Sequence, residues 1–263
     1  MPRFAANLSM MFNEVGFLDR FDRAARAGFK GIEFLFPYEH QAAEIRRRLD
    51  ANGLTLALFN MPPGDWAKGE RGIAALPGRR TEFRDGVRQA LDYAGALDCK
   101  LVHCMAGLVP ADVSEVTAGA TYAANLAWAG EEAVKAGVRI AIEPINHRDM
   151  PRYFLNTQAQ GAAFVEAIGT DRLGLQFDVY HVQTTEGDIT KRMEQFMPLI
   201  AHMQIADVPA RNEPGTGEIG WEYVFRRMDQ LGYTGWVGCE YRPAGETDAG
   251  LAWLKRLAPH PAR

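Results

Sequence analysis

Three segments in the N-terminal part of the chain place apolar side chains at the three- and four-residue intervals of an amphipathic helix. The stripes are Phe17, Leu18, Phe21, Ala24 and Ala25, then Ala42, Ile45 and Leu49, then Phe83, Val87, Ala90, Leu91 and Ala94. Charged residues such as Arg20 and Asp22 fall between the members of the first stripe. This spacing predicts helices that cover an apolar layer with one face.

Short runs that are apolar at nearly every position lie between the helical segments. Several of these runs follow closely after a glycine, as at Gly28, Gly53, Gly137 and Gly232. Glycine adopts the left-handed backbone conformation that closes a helix, so each of these junctions is read as a helix-to-strand loop. Apolar runs without polar alternation are typical of parallel strands under helices. Eight runs fit: residues 4–9, 31–35, 54–59, 101–105, 138–143, 173–178, 200–206 and 236–241.

Eight strand–helix units predict an α/β fold, a single (β/α)8 TIM barrel that forms one domain over residues 1–263. The 263 residues give about 33 residues per unit, and the chain is close to the roughly 250 residues of such barrels. A doubly wound open sheet is the alternative. It is disfavoured because no glycine-rich phosphate-binding fingerprint follows the first strand and no domain boundary interrupts the repeat.

Polar residues stand at the ends of four consecutive predicted strands: Glu143, Asp178, Gln204 and Glu240. Because the carboxyl ends of barrel strands meet at one mouth, we expect these side chains to converge there. Each acid taken alone could be a paired strand-end residue, but three ionised carboxylates together repel unless a cation lies between them. An oxygen-rich donor set predicts one divalent metal ion, Mg²⁺ or Mn²⁺ rather than Zn²⁺.

The motifs around these residues resemble those of the hydroxypyruvate isomerase family, within the xylose isomerase-like TIM-barrel superfamily. The similarity extends over essentially the whole chain. It is carried by Phe-Ala-Ala-Asn-Leu-Ser-Met-Met-Phe near the start, Phe-Asn-Met-Pro-Pro-Gly-Asp-Trp, Glu143-Pro-Ile-Asn146, Phe-Asp178-Val-Tyr-His181, Gln204-Ile-Ala-Asp-Val-Pro, Glu213-Pro-Gly and Cys-Glu240-Tyr. Many epimerases of the superfamily have histidine where this chain has Gln204, and glutamine matches the hydroxypyruvate isomerase type.

The resemblance implies a metal-dependent isomerase that interconverts hydroxypyruvate and tartronate semialdehyde (2-hydroxy-3-oxopropanoate) through an enediol. It implies that Glu143 and Glu240 are the catalytic acid and base, and that Glu143, Asp178, Gln204 and Glu240 are the metal ligands. Which glutamate is the base and which the acid stays open, as does the identity of the physiological metal.

Four further residues are candidates for substrate binding. The family places a histidine such as His181 beside the substrate oxygens. Alternatively, His181 caps the loop that follows the sixth predicted strand. His103 ends the fourth strand and is either a substrate contact or a buried core residue. Arg211 is the first candidate for a bidentate contact with the substrate carboxylate. Arg71 is the second, from the long loop 60–80, which we interpret as a lid.

Composition restricts the partners. Lys and Arg number 29 against 33 Asp and Glu, a net charge of −4, which argues against nucleic acid as a partner. The longest uncharged run, residues 116–130, is too short and polar to span a membrane. Three cysteines predict reduced thiols and a cytoplasmic protein. We therefore expect a small anionic hydroxy-oxo acid as substrate, and a homo-oligomer stays open.

Three rival functions are compatible with parts of this pattern. A 2-oxo-tetronate isomerase, another small ketose or sugar-acid isomerase, or a ketose 3-epimerase would use nearly the same site, so three- and four-carbon substrates both stay open. A phosphodiesterase of the endonuclease IV type needs a richer set of histidines than the six present. A non-catalytic barrel that binds a sugar acid is the alternative from a different class.

Overall fold

The computed structural model describes residues 2–257 and shows a closed barrel of eight parallel strands, as the sequence predicts. Each strand pairs with its neighbours in chain order, and β8 closes the barrel against β1 in the register Phe4 to Val237. The predicted domain bounds 1–263 extend to residues outside the described part. The strands are β1 Arg3–Asn7, β2 Gly31–Phe34, β3 Thr55–Asn60, β4 Leu101–His103, β5 Arg139–Ile142, β6 Leu173–Asp178, β7 Ile200–Gln204 and β8 Trp236–Cys239.

Helices alternate with the strands and cover the outside of the barrel. The predicted stripes are confirmed: Phe83, Val87, Ala90 and Ala94 are buried on α3, and Ile45 and Leu49 are buried on α2. The helices are α1 Arg20–Arg26, α2 Ala42–Asn52, α3 Arg80–Leu97, α4 Glu115–Lys135, α5 Gln158–Ile168, α6 Val179–Thr185, α7 Ile189–Phe196, α8 Trp221–Gln230, α9 Thr247–Gly250 and α10 Ala252–Leu257.

Strand side chains of the barrel include a buried polar group centred on Glu33 of β2. The Glu33 carboxylate accepts hydrogen bonds from Asn7 Nδ2 at 3.0 Å and Gln204 Nε2 at 2.8 Å, and it lies 2.7 Å from His202 Nε2. A side chain at Gly238 would collide with this carboxylate. The glycine in β8 therefore makes room for a charged group from β2.

The long loop 60–80 follows β3 at the carboxyl end of the barrel, where the sequence places it. Glu70 fixes its conformation by pairing with Arg79 and by accepting a hydrogen bond from the backbone N–H of Asp65. A short 3₁₀ turn, Trp66–Lys68, carries the Trp66 ring against Phe36, with 5.0 Å between ring centroids. The loop is thus an ordered structure beside the barrel mouth.

Two further observations concern helix length and the cysteines. Within residues 2–257, no helix has the length and apolar character needed to cross a membrane. All three cysteines, Cys99, Cys104 and Cys239, are buried and unpaired.

Candidate active site and metal centre

Three of the strand-end acids meet at the carboxyl end of the barrel. Glu143 directly follows β5, Asp178 ends β6, and Glu240 directly follows β8. Together with His181, each offers an oxygen or nitrogen atom, and these four atoms lie within 4.8 Å of one another. All four residues are buried. The expected convergence of Glu143, Asp178 and Glu240 is therefore present in the structure.

The cluster opens into a cavity of about 580 Å³. Of the predicted site residues, Glu143 and Glu240, the two histidines and both arginines line it. The full lining is Met10, Leu35, Asn60, Trp66, Arg71, His103, Met105, Glu143, Ile145, Arg148, Asp149, Met150, Tyr180, His181, Pro209, Ala210, Arg211, Glu240 and Arg242.

Burial changes the acidity of the three carboxyl groups. Loss of water, followed by repulsion from Glu240 and Asp178, raises the pKa of Glu143 well above its usual value. Burial raises the pKa of Glu240 to about 8 and that of Asp178 to about 6. In each case the charged form is disfavoured because the environment solvates it poorly. These are the conditions under which a carboxyl group exchanges protons near neutral pH.

Arg211 supplies positive charge to the cluster. Its guanidinium donates a hydrogen bond to Glu240 Oε2 at 2.5 Å and lies 3.7 Å from Asp178 Oδ2 and 3.8 Å from Asp149 Oδ2. The loop that carries it is organised by the buried carboxylate of Asp207, which accepts hydrogen bonds from the backbone N–H groups of Gly215 and Gly217. Arg211 is therefore already paired with a candidate acid–base residue, a contact that the sequence does not reveal.

Gln204 ends β7 in a buried network that includes Gln176 as well as Glu33. Its carbonyl oxygen accepts a hydrogen bond from Gln176 Nε2 at 2.5 Å, while its amide nitrogen donates to Glu33. A carbonyl oxygen has two lone pairs, so one stays available for another partner. The network fixes the direction of the Gln204 amide, and its role as a metal ligand stays a prediction.

His103 faces Glu143 from the neighbouring strand. Its Nε2 lies 3.8 Å from Glu143 Oε2 and has no hydrogen-bond partner among the described residues, while Nδ1 lies 3.3 Å from Asn60 Oδ1. Burial, with the nearby His202, lowers the pKa of His103 to about 3. The imidazole is therefore neutral at physiological pH.

Arg71 lies on the long loop, with its guanidinium 3.9 Å from the centroid of the Trp66 ring. Arg148 and Arg242 also line the cavity, and sequence reasoning did not single them out. The sequence does contain a sign of both: Arg148 follows the strand-end residue Glu143 within a few positions, and Arg242 follows Glu240 in the same way. Four arginines around one cavity make it suited to a small anion.

The donor set fits a divalent cation of the hard class. Glu143 Oε1 and Asp178 Oδ2 are buried without a hydrogen-bond partner in the described part of the chain. Buried carboxylate oxygens are costly unless something compensates their charge. The buried cluster could therefore hold a metal ion. That this ion is Mg²⁺ or Mn²⁺, which oxygen ligands favour, stays a prediction.

Comparison with known proteins identifies the family. The sequence model of the xylose isomerase-like TIM barrel family matches residues 21–257. The chain belongs to this family. Among curated relatives of this xylose isomerase-like barrel, the 2-oxo-tetronate isomerase of Cupriavidus necator is 58% identical over 97% of the chain and 98% of the relative. The hydroxypyruvate isomerase of Escherichia coli is 47% identical over the same shares of the two chains. The expected family is confirmed, and the protein is an isomerase.

Solved structures agree with this assignment at the level of the fold. A Brucella melitensis protein named AP endonuclease, family 2, is 47% identical and superposes with a TM-score of 0.95 over 97% of this chain and 99% of the other. The 3-keto-D-glucoside 4-epimerase of E. coli is 20% identical, with a TM-score of 0.81 over 97% and 99% of the two chains. That second likeness shows the shared barrel alone.

Proposed function

We propose that this isomerase interconverts a short 2-oxo acid and the isomer in which the carbonyl group lies at C3 instead of C2. The reaction moves a proton from C3 to C2 through an enediol. Hydroxypyruvate and tartronate semialdehyde are the three-carbon pair, and 2-oxo-tetronate and its 3-oxo isomer are the four-carbon pair. The observation that carries the proposal is the pair Glu143 and Glu240, both buried and both facing one arginine-lined cavity.

Glu143 and Glu240 are suited to act as a proton donor and acceptor. Their raised pKa values mean that one can hold a proton at neutral pH while the other is ionised. The ionised glutamate removes the C3 proton, and a protonated carboxyl group delivers one to C2 of the enediol. Arg211 opposes the effect of burial on the pKa of Glu240. A bound cation would displace the remaining proton, which makes Glu240 the first candidate for the base.

Glu143, Asp178 and Glu240 would hold the divalent cation, with Gln204 as the fourth candidate ligand. When bound, such an ion supplies Lewis-acid polarisation of substrate oxygens. The protein's own contribution is to keep the three carboxylates dry and close together, so that the acids are directed at one small volume.

We expect the substrate carboxylate to bind to the arginine side chains of the cavity. Because Arg211 is already paired with Glu240, we assign the first contact to Arg71 of the loop and to Arg242. Within residues 2–257 the Arg242 side chain forms no ion pair, and it extends beside the cavity. Arg211 adds a third positive charge to the wall of the cavity.

The relatives set the order of substrates to be tested. The 58% identical relative is named 2-oxo-tetronate isomerase and the 47% identical one hydroxypyruvate isomerase, so the four-carbon acid comes first. The test uses protein that has been loaded with Mg²⁺ and is free of Mn²⁺. Each acid is added in D₂O, and its conversion is followed by proton NMR. We expect interconversion with deuterium incorporated at C2, and its loss in Glu143→Gln but not in the exposed control Glu222→Gln.

Two results would overturn the proposal. One is a metal-loaded, folded protein that turns over neither acid. The other is cleavage of duplex DNA containing an abasic site at rates above those for both acids, which would favour the endonuclease activity for which the B. melitensis protein is named. The net charge of −4 and the small cavity argue for the acids, because DNA contacts require many cationic groups along an extended surface.

A further inference from the structure

A buried hydrogen-bond arrangement outside the set of proposed ligands fixes the state of His181. Its Nδ1 lies 2.6 Å from Asn146 Nδ2 and accepts a further, longer hydrogen bond of 3.4 Å from the backbone N–H of Asn146. A backbone N–H can only donate. Nδ1 must therefore present its lone pair, and in the neutral ring the proton resides on Nε2.

The orientation of the Asn146 amide is determined by its own neighbours. Asn146 Oδ1 accepts a hydrogen bond from the backbone N–H of Asp149 at 2.8 Å, and Asn146 Nδ2 lies 3.2 Å from Asp149 Oδ2. Rotating the amide by half a turn would place an N–H₂ group against the backbone N–H and an oxygen against the carboxylate. The side chain is thus held with its N–H₂ group toward His181, independently of the histidine.

The Nε2–H group of His181 points into the acid cluster. Nε2 lies 3.6 Å from Asp178 Oδ2 and 3.8 Å from Glu143 Oε1, and neither oxygen has a hydrogen-bond partner among the described residues. Distance alone would let Nε2 join these oxygens as a fourth ligand. A nitrogen that carries a proton has no lone pair for a metal, so the tautomer decides against that role.

We propose that Asn146 is a positioning residue that fixes His181 as a neutral Nε2–H donor. The family resemblance already places His181 beside the substrate oxygens. Held in this tautomer, His181 would donate to the oxygen that gains negative charge as the C3 proton leaves, and it would not be a metal ligand. This role in catalysis rests on the proposed function. A preorganised donor is effective because it requires no reorganisation when charge develops, and a neutral imidazole can serve as such a donor.

The tautomer can be tested without any activity. Two-bond ¹H–¹⁵N spectra of the full chain, with and without Mg²⁺, report which ring nitrogen of each histidine carries the proton, and His181 is assigned by its loss in His181→Gln. We expect an Nε2–H tautomer in both states. A proton on Nδ1, or loss of the Nε2 proton on adding Mg²⁺, would overturn the inference and leave the proposed isomerase activity untouched.

Asn146→Leu tests the link to catalysis. Leucine keeps the size of the side chain and adds no charge beside Asp149, but it removes the Nδ2 donor, so only the longer contact to the backbone N–H still holds Nδ1 as an acceptor. We expect kcat to fall about 10²-fold, the size typical of one lost donor to a developing oxyanion, with KM and Mg²⁺ affinity changed far less. Asn156→Leu is the matched control, since Asn156 contacts His147, which does not line the cavity.

A double-mutant cycle separates positioning from a structural role. In the His181→Gln background no imidazole is left to position, so adding Asn146→Leu should lower kcat less than about threefold, because two residues that act as a unit are strongly non-additive. An equal loss in both backgrounds would show that Asn146 acts through the loop and not through His181. Failure of every variant and of wild type on both acids would count against the proposed function, while the tautomer stands or falls on the spectra.

Discussion

At the scale of single residues, burial and neighbouring charge turn ordinary acids into groups that can exchange protons. Glu240 is 5% exposed and Glu143 is 4% exposed, yet they differ in partners: Glu240 accepts from Arg211, and Glu143 Oε1 has no partner in the described chain. The strand-end positions were predictable, because polar residues interrupt apolar runs. The Arg211 and Asn146 contacts were not, because they depend on loop conformations, including a left-handed backbone at Arg211 (φ 58°).

Removing the charge of Arg71 should weaken substrate binding more than it slows the chemistry. We expect Arg71→Gln to raise KM for the acid about 10-fold or more, since hydrogen bonds to charged groups contribute about 1.5–3 kcal/mol, with kcat nearly unchanged. Steady-state kinetics check this, with Arg88→Gln on the outer face of α3 as the control. An unchanged KM would move the carboxylate to Arg242 and Arg211.

At the scale of elements, strand-to-helix loops bring the chemistry together and glycine marks where the strands begin. The predicted strands agree with the observed ones to within a few residues, because loops such as the one at Gly53, with φ of 59°, close a helix just before a strand. The predicted strands extend too far at their carboxyl ends, because residues such as Glu143 and Glu240 lie outside the sheet and face the cavity. The ordering of loop 60–80 by Glu70 was not predictable, because it depends on a contact with the side chain of Arg79.

Glu70→Ala should loosen this loop without unfolding the barrel. The substitution removes the pairing with Arg79 and the acceptor for the Asp65 N–H, so amide hydrogen exchange in residues 62–72 should accelerate at least about 10-fold, as expected for local opening. Glu82→Ala is the matched control, because Glu82 binds the same arginine from α3. Equal exchange in the two variants would show that Glu70 does not hold the loop.

At the scale of the whole molecule, the barrel brings three buried carboxylates together at its carboxyl end and holds a second buried polar group around Glu33. The count of eight units made the architecture predictable, since eight strand–helix repeats in 263 residues match the size of a closed barrel and no phosphate-binding fingerprint favours an open sheet. The interior group around Glu33 was missed, because a lone glutamate in an apolar run gives no sign of its partners on other strands.

The metal-free protein should lose stability as pH rises from about 6.5 to 8.5. Glu240, with its pKa raised from 4.5 to about 8, keeps its proton when folded and loses it when unfolded, so the folded state binds more protons in this range and stability falls with pH. His103 and His181, whose pKa values are lowered, contribute fully above about pH 6.5 and do not interfere.

Calorimetry across this pH range is the measurement. Added Mn²⁺ should raise Tm more at pH 8.5 than at pH 6.5, because the ion no longer competes with the protons on Glu240. Glu240→Gln should flatten the pH dependence of the metal-free protein. A wild-type Tm that rises with pH, or a metal effect independent of pH, would contradict the assigned environment of Glu240.

The central claim, that Glu143 and Glu240 share one proton path, is tested most directly by following C3-hydrogen exchange and isomerisation together in D₂O. Glu143→Gln and Glu240→Gln, with bound metal verified, should each lose about 10²–10⁴-fold in turnover, the usual contribution of acid–base catalysis. The variant lacking the base should lose exchange and isomerisation alike, and the variant lacking only the acid should still exchange. If either variant isomerises at nearly the wild-type rate with metal bound, that glutamate is not part of the proton path, and the two-glutamate mechanism is wrong for this protein.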